Sequence, residues 1–98
     1  MVIRFATRKK VSLEFLEFHV ENSTTCSYDW VEVRDGDNPR ANLLGSKLCG
    51  SQRPGPINST GKALYLSFHT DNTVVKNGFE IQAAAIDFGK RYYIRHKI

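Results

Sequence analysis

The sequence lacks long apolar runs and lacks a helical repeat of apolar residues. No stretch approaches the about 20 apolar residues that cross a bilayer, which argues against a transmembrane helix in these 98 residues. The opening residues, MVIRFATRKK, also lack the apolar centre of about 7–15 residues that a secretory leader carries. We therefore expect the chain to be a piece of a longer precursor.

Catalytic patterns are lacking as well. The three histidines are scattered, no Ser/His/Asp order is visible, and neither cysteine has the sequence surroundings of a nucleophile. The sequence therefore predicts a protein that is not an enzyme. What the chain does contain, charged and aromatic residues in quantity, indicates one folded domain near the lower size limit for a single apolar core.

Cysteine is scarce: Cys26 and Cys49 are the only two, 23 positions apart. In a cytosolic protein they would be buried thiols, whereas in a small secreted domain they would form a disulfide. The loop-entropy estimate gives such a bond about 3 kcal/mol of stabilisation of the fold. Asn22-Ser23-Thr24 and Asn58-Ser59-Thr60 both fit the N-glycosylation pattern. Together with the even cysteine count, these two triplets favour an extracellular origin.

Charge is unevenly distributed along the chain. Residues 11–89 hold six basic and all ten acidic side chains, while residues 1–10 and 90–98 hold only basic ones. The basic ends are either solvated tails or a patch for sulfated polysaccharide or nucleic acid.

Short alternating runs separated by turn residues predict β-strands. They are VSLEF followed by FHV in opposite parity, YDWVEVR, a broken strand in ANLLGSKLCG, ALYLSFH, and FEIQAAAI with Phe79 and Ile81 inward. One extra residue near Leu16, as in a β-bulge, would explain the change of parity. Loops are predicted at 35–39, 51–56 and 70–78. The basic end, residues 89–98, is either an edge strand or a frayed tail, and we favour the strand.

This pattern predicts an all-β fold, an antiparallel two-sheet sandwich. Three acids stand at its loop–strand junctions, Glu21, Asp29 and Asp71. Because neighbouring antiparallel strands bring the end of one beside the start of the next, these acids can converge at one rim. A hard divalent cation, calcium rather than zinc, would suit them. From their spacing alone, the stronger interpretation is that the three acids are solvated loop residues that bind no metal.

Several motifs together resemble the CUB domain: LEFLEFHVE, CSYDWVEVRDG, LCG, PGPINSTGKALYLSFHTD and NGFEI, in this order. The resemblance covers about residues 2–86, within a single domain of residues 1–98 whose residues 87–98 form a basic extension. It implies a jelly-roll-like sandwich and a Cys26–Cys49 disulfide.

The resemblance also implies a function: a secreted or extracellular module that binds other proteins in the presence of calcium. Carried over by position, it makes Glu21, Asp29 and Asp71 the side-chain ligands, with backbone carbonyls around Asn72–Val74 completing the shell. A basic side chain of the partner would contact the same acids, and Tyr28 would either pack beside the ion or be an ordinary strand aromatic. His69 is expected on the outer face of its strand. The alternative function is heparin or glycan binding through the basic ends; nucleic acid is not an expected partner.

The sequence departs from the CUB pattern at its beginning. Most members start with an earlier cysteine pair and about two further strands. In this chain only Val2-Ile3 could correspond to part of that segment. An exposed sheet edge would result, and such edges pair with other chains. We expect either that RYYIRHKI fills the vacancy or that two chains cover each other.

Overall fold

Two antiparallel sheets of four strands each form the described part of the fold. The computed structural model describes residues 2–7, 10–71, 78–87 and 90–97. The strands are β1 Val2–Ala6, β2 Val11–His19, β3 Trp30–Asp35, β4 Asn42–Leu43, β5 Ile57–Asn58, β6 Ala63–His69, β7 Gly78–Asp87 and β8 Lys90–Lys97. Sheet 1 has the order β1-β6-β3-β4 and sheet 2 the order β5-β2-β7-β8. The all-β sandwich is thereby confirmed. Within the described ranges, no helix is long and apolar enough to cross a membrane.

The core lies between the inner faces of the two sheets. Alternation directs Val31 and Val33 of β3, and Leu64 and Leu66 of β6, inward, and all four are fully buried. The remaining core residues are contributed by β1, β2, β7 and the Val20 bridge: Phe5, Val11, Leu13, Phe15, Phe18, Val20, Phe79, Ile81 and Ala83. Phe79 and Ile81 point inward as predicted.

The predicted bulge in β2 is present. The pairing of β2 with β7 shifts between Phe15 and Glu17, which leaves Leu16 as the extra residue. Phe15 and Phe18 are therefore both buried, although they differ in parity, and their rings meet edge to face at 5.4 Å.

Other strand boundaries differ in part from the predictions. β6 covers ALYLSFH as predicted, and 51–56 is a loop. β3 begins at Trp30, two residues later than predicted, because Tyr28 and Asp29 belong to the preceding bend. β1 and β5 were not predicted; β1 pairs with the edge of β6 and β5 with the start of β2. Most of the loop predicted at 70–78 lies outside the described residues.

The basic end of the chain is a strand. β8 pairs with β7 from Asp87↔Lys90 to Glu80↔Lys97, and Arg95 contacts Gln82 through a 3.0 Å hydrogen bond. The strand interpretation of this segment is confirmed, and β8 covers the edge that β7 would otherwise present.

Candidate metal centre

Three chain connections meet at one rim of the sandwich. β3 and β6 pair with Trp30 opposite His69, so the residue before β3, Asp29, lies beside the segment that follows β6. Glu21 reaches the same rim through two backbone bridges, Val31↔Leu48 and Val20↔Gly50. Residues 48–50 therefore connect the start of β3 to the end of β2.

The carboxylates of Glu21, Asp29 and Asp71 converge. One oxygen of each lies within 4.8 Å of the others. Asp29 is only 4% exposed, and its Oδ1 accepts a hydrogen bond from the backbone N–H of Asp71 at 3.0 Å. Glu21 and Asp71 are half-buried, and Oε2 of Glu21 is a buried atom that receives no hydrogen bond, although other contacts involve this residue. The structure thus brings together the three acids that the sequence singled out.

The donor set fits a hard divalent cation. Like charges repel by about 1 kcal/mol per pair at roughly 4 Å in water, and by more where burial lowers the effective dielectric constant. Carboxylate oxygens are the ligands that calcium accepts in flexible geometry, whereas zinc prefers thiolate and imidazole. Both cysteines are engaged in a disulfide, so neither offers a thiolate to the site. The predicted carbonyl ligands of Asn72–Val74 lie outside the described residues.

A disulfide joins the loop between β2 and β3, which carries Glu21 and Asp29, to residues 48–50. Cys26 and Cys49 are bonded, with Cα atoms 5.6 Å apart, as the resemblance implied. The loop that Cys26 belongs to is also held locally, because Ser27 N–H donates to Ser23 Oγ at 2.9 Å. Glu21 and Asp29 flank this loop, so the covalent bond restrains the position of both.

The aromatic stack beside the acids was not predicted from the sequence. Trp30 stacks on His69 with ring centroids 4.1 Å apart, and Lys47 Nζ lies 3.9 Å from the Trp30 centroid. Trp30 Nε1–H donates to Glu32 at 2.7 Å. His69 is exposed on the outer face, as expected. The register of β3 against β6 was the missing information, since it alone places Trp30 opposite His69.

Tyr28 and the two glycosylation triplets are at the surface. Tyr28 precedes β3 rather than lying within it, and 53% of it is exposed. Asn22 and Asn58 are both exposed, the first directly after Glu21 and the second at the end of β5. These positions leave all three residues accessible from solvent.

Comparison with known proteins identifies the family. The family model described as CUB domain matches residues 1–82. The chain belongs to the CUB domain family. CUB domains are extracellular protein-interaction modules that are typically non-catalytic.

Similar proteins are large by comparison with this domain. The chain is 37% identical over 86 residues to the cubilin homolog of Drosophila melanogaster, a match that spans 88% of the chain and 2% of that protein. It is 43% identical over 75 residues to exoskeleton protein RP43 of Riftia pachyptila (76% of the chain, 18% of that protein). It is 42% identical over 69 residues to inactive serine protease PAMR1 of Pongo abelii (70% and 9%). The CUB domain thus spans less than a fifth of each of these relatives.

A solved structure shares the fold. The CUB1-EGF-CUB2 domain of human MASP-1/3 superposes with a TM-score of 0.68 at 21% identity, covering 100% of this chain and 36% of that one. At this identity the likeness shows the architecture alone.

Proposed function

We propose that this CUB domain is an extracellular, calcium-dependent protein-binding module. Glu21, Asp29 and Asp71 would hold the ion, and a lysine or arginine of the partner would contact the same carboxylates. The observation that carries the proposal is the convergence of the three carboxylates within 4.8 Å at one rim.

The three acids differ in burial, and this difference suggests different roles for them. Asp29 is almost completely enclosed, so its carboxylate has the least surface of the three for a partner and would chiefly bind the ion. Glu21 and Asp71 are half-buried, and each has surface left for charge-assisted hydrogen bonds from a basic side chain. The exposed ring of Tyr28, next to Asp29, would flank the incoming partner residue.

Calcium would also organise the binding surface. The three acids come from three different connections, so an ion bound between them crosslinks the end of β2, the start of β3 and the end of β6. Without it, the carboxylates repel one another. Calcium thus converts a repulsive rim into a rigid one that presents negative charge to a partner.

An extracellular setting supports the proposal. The Cys26–Cys49 disulfide persists in an oxidising compartment, and Asn22 and Asn58 are exposed in glycosylation triplets. Extracellular or secreted multidomain proteins are among the relatives.

Calorimetry with added calcium tests the ion site. At a calcium concentration about 100 times the dissociation constant, the free energy of unfolding should rise by about 2.7 kcal/mol, and chelation should remove the gain. Magnesium, which demands tighter octahedral geometry, serves as the matched ion. An unchanged Tm at millimolar calcium contradicts the proposal.

The partner chemistry needs a second experiment. A lysine-containing peptide is titrated into the calcium-loaded protein, with the same peptide acetylated at lysine as the control. Binding only by the charged peptide, and only with calcium present, supports the role of a basic partner residue. Equal binding of both peptides contradicts it.

A further inference from the structure

A groove of about 610 Å³ lies on the outer face of sheet 2, far from the acids. It crosses the start of β2, whereas Glu21 follows the end of that strand. Ser12 and Glu21 are nine positions apart, which corresponds to about 30 Å along an extended strand. The groove is therefore a feature separate from the metal centre, within the about 300–1,000 Å³ range of sites for small ligands.

One row of paired residues defines the length of the groove. Asn58 pairs with Ser12, Ser12 with Ala84, and Ala84 with Tyr93. Residues paired in this way have side chains on the same face, and three strand spacings amount to roughly 14 Å. Small side chains, Ser12 and Ala84, form the floor, and the larger Asn58 and Tyr93 stand at the two ends.

The walls and the far end of the groove have the chemistry of a sugar site. Glu14 and Gln82 line it with hydrogen-bonding groups, and Lys10 adds a donor. Tyr93 is 57% exposed, so its ring is available for contact with the apolar C–H surface of a sugar. A groove with polar groups along its length and one aromatic platform suits a short neutral oligosaccharide better than an apolar ligand.

The other end of the groove holds an attachment point. Asn58 belongs to the triplet Asn58-Ser59-Thr60 and is exposed. Ser59 is buried and fixes this segment against β2: its Oγ accepts from Val11 N–H at 2.8 Å and donates to the Gly61 carbonyl at 2.7 Å. The Asn58 side chain is thereby held on the outer face, at the mouth of the groove.

We propose that the groove is the binding site of an N-linked glycan carried by Asn58. The first sugars of this glycan would lie across Ser12 and Ala84 and stack on the Tyr93 ring. The glycan would cover the outer face of sheet 2 and leave the acidic rim open to partners. This inference needs the secretory route that the proposed function also needs, but it does not depend on calcium. A calcium titration of the Asn58→Gln variant keeps the two apart.

The test uses the whole chain expressed in a glycosylating secretory host, in an Asn22→Gln background that leaves one acceptor site. Peptide mass mapping should show Asn58 modified. Enzymatic release of the glycan from the folded protein should be roughly two- to thirteenfold faster in Tyr93→Ala than in the parent, as expected for loss of an aromatic contact of about 0.5–1.5 kcal/mol. Tyr93→Phe, which keeps the ring, should release at the parent rate, and all variants should release equally when unfolded.

A second measurement does not depend on the variants folding. Nuclear Overhauser contacts between the first sugars and the Tyr93 ring should be present in the parent protein. An unmodified Asn58 overturns the proposal. So does a modified Asn58 whose glycan is released at the same rate from Tyr93→Ala, or shows no contact with Tyr93.

Discussion

Asp71 donates its backbone N–H to Oδ1 of Asp29 across 3.0 Å, and this bond ties the end of β6 to the start of β3. One oxygen of the buried Asp29 carboxylate is thus committed to holding the rim together. Asp29 is an acceptor within the protein and, under the proposed function, also a ligand of the ion, and substitution can separate these two roles.

Asp29→Asn should abolish calcium binding without dismantling the rim. The amide keeps an oxygen that can accept from Asp71 N–H but removes the charge, so the calcium-free protein should be as stable as the parent or slightly more stable, since repulsion falls. Scanning calorimetry with and without calcium measures this. The exposed Asp37, changed to Asn, is the control and should keep the full calcium effect. A parental calcium shift in Asp29→Asn would exclude this acid as a ligand.

Stability should depend on pH through Asp35. The hydroxyl and the N–H of Thr60 both donate to its carboxylate, the N–H at 2.9 Å, and these bonds hold the pKa of Asp35 below its usual 3.8. A lowered pKa in the folded state stabilises the protein above pH 3.8, and this contribution is lost as the pH falls below that value. Urea unfolding from pH 5 downward should show a loss that Asp35→Asn lacks.

The matched control for this acid effect is Glu17→Gln, at an exposed position of β2. It should retain the acid-dependent loss that Asp35 causes. The same loss in Asp35→Asn as in the parent would show that other groups are responsible.

The heparin-binding alternative predicts that a heparin column retains the protein even when a chelator has removed calcium. We expect the protein instead to leave a heparin column at or below about 0.15 M salt. Arg4 on β1 and Arg95 on β8 lie in different sheets, and Nε of Arg95 is already 3.8 Å from Oε1 of Glu80. Strong retention with chelator present, lost when residues 90–98 are removed, would favour the alternative.

Removal of residues 90–98 should cause self-association. The deletion uncovers the β7 edge, whose backbone groups pair with β8 from Glu80 to Asp87, and open edges pair with other chains. Light scattering should show a concentration-dependent increase in mass relative to Tyr93→Ser, which keeps the strand. A truncated protein that stays a compact monomer would mean that β8 is not needed to protect this edge.

Alternation and turn residues were sufficient to predict β6, the inward side of β7 and the bulge at Leu16, because each depends on local parity. β1 and β5 were not predicted, for a physical reason. Val2–Ala6 is a short run that contains Arg4, and Ile57–Asn58 is only two residues long, so both are strands because of the partners they meet.

For the three acids, too, the position along the chain could be predicted from the sequence but the tertiary contacts could not. Each of Glu21, Asp29 and Asp71 could be placed near a strand end from the sequence. Their convergence depends on the antiparallel order β6-β3 and on the Val20↔Gly50 bridge, which no local pattern contains. Tyr28 was expected either within a strand or beside the ion. The strand alternative is wrong, because Tyr28 lies exposed in the bend before β3, and a position beside the ion stays a prediction.

The stack of Trp30 on His69 gives the molecule an optical reporter. Trp30 is the single tryptophan of the chain, it directly follows Asp29, and its ring partner lies two residues before Asp71. Any ion that tightens the rim changes the surroundings of this one indole. The intrinsic emission of the unlabelled domain should therefore follow loading of the site, and a spectrometer alone can read the occupancy of the rim in real time.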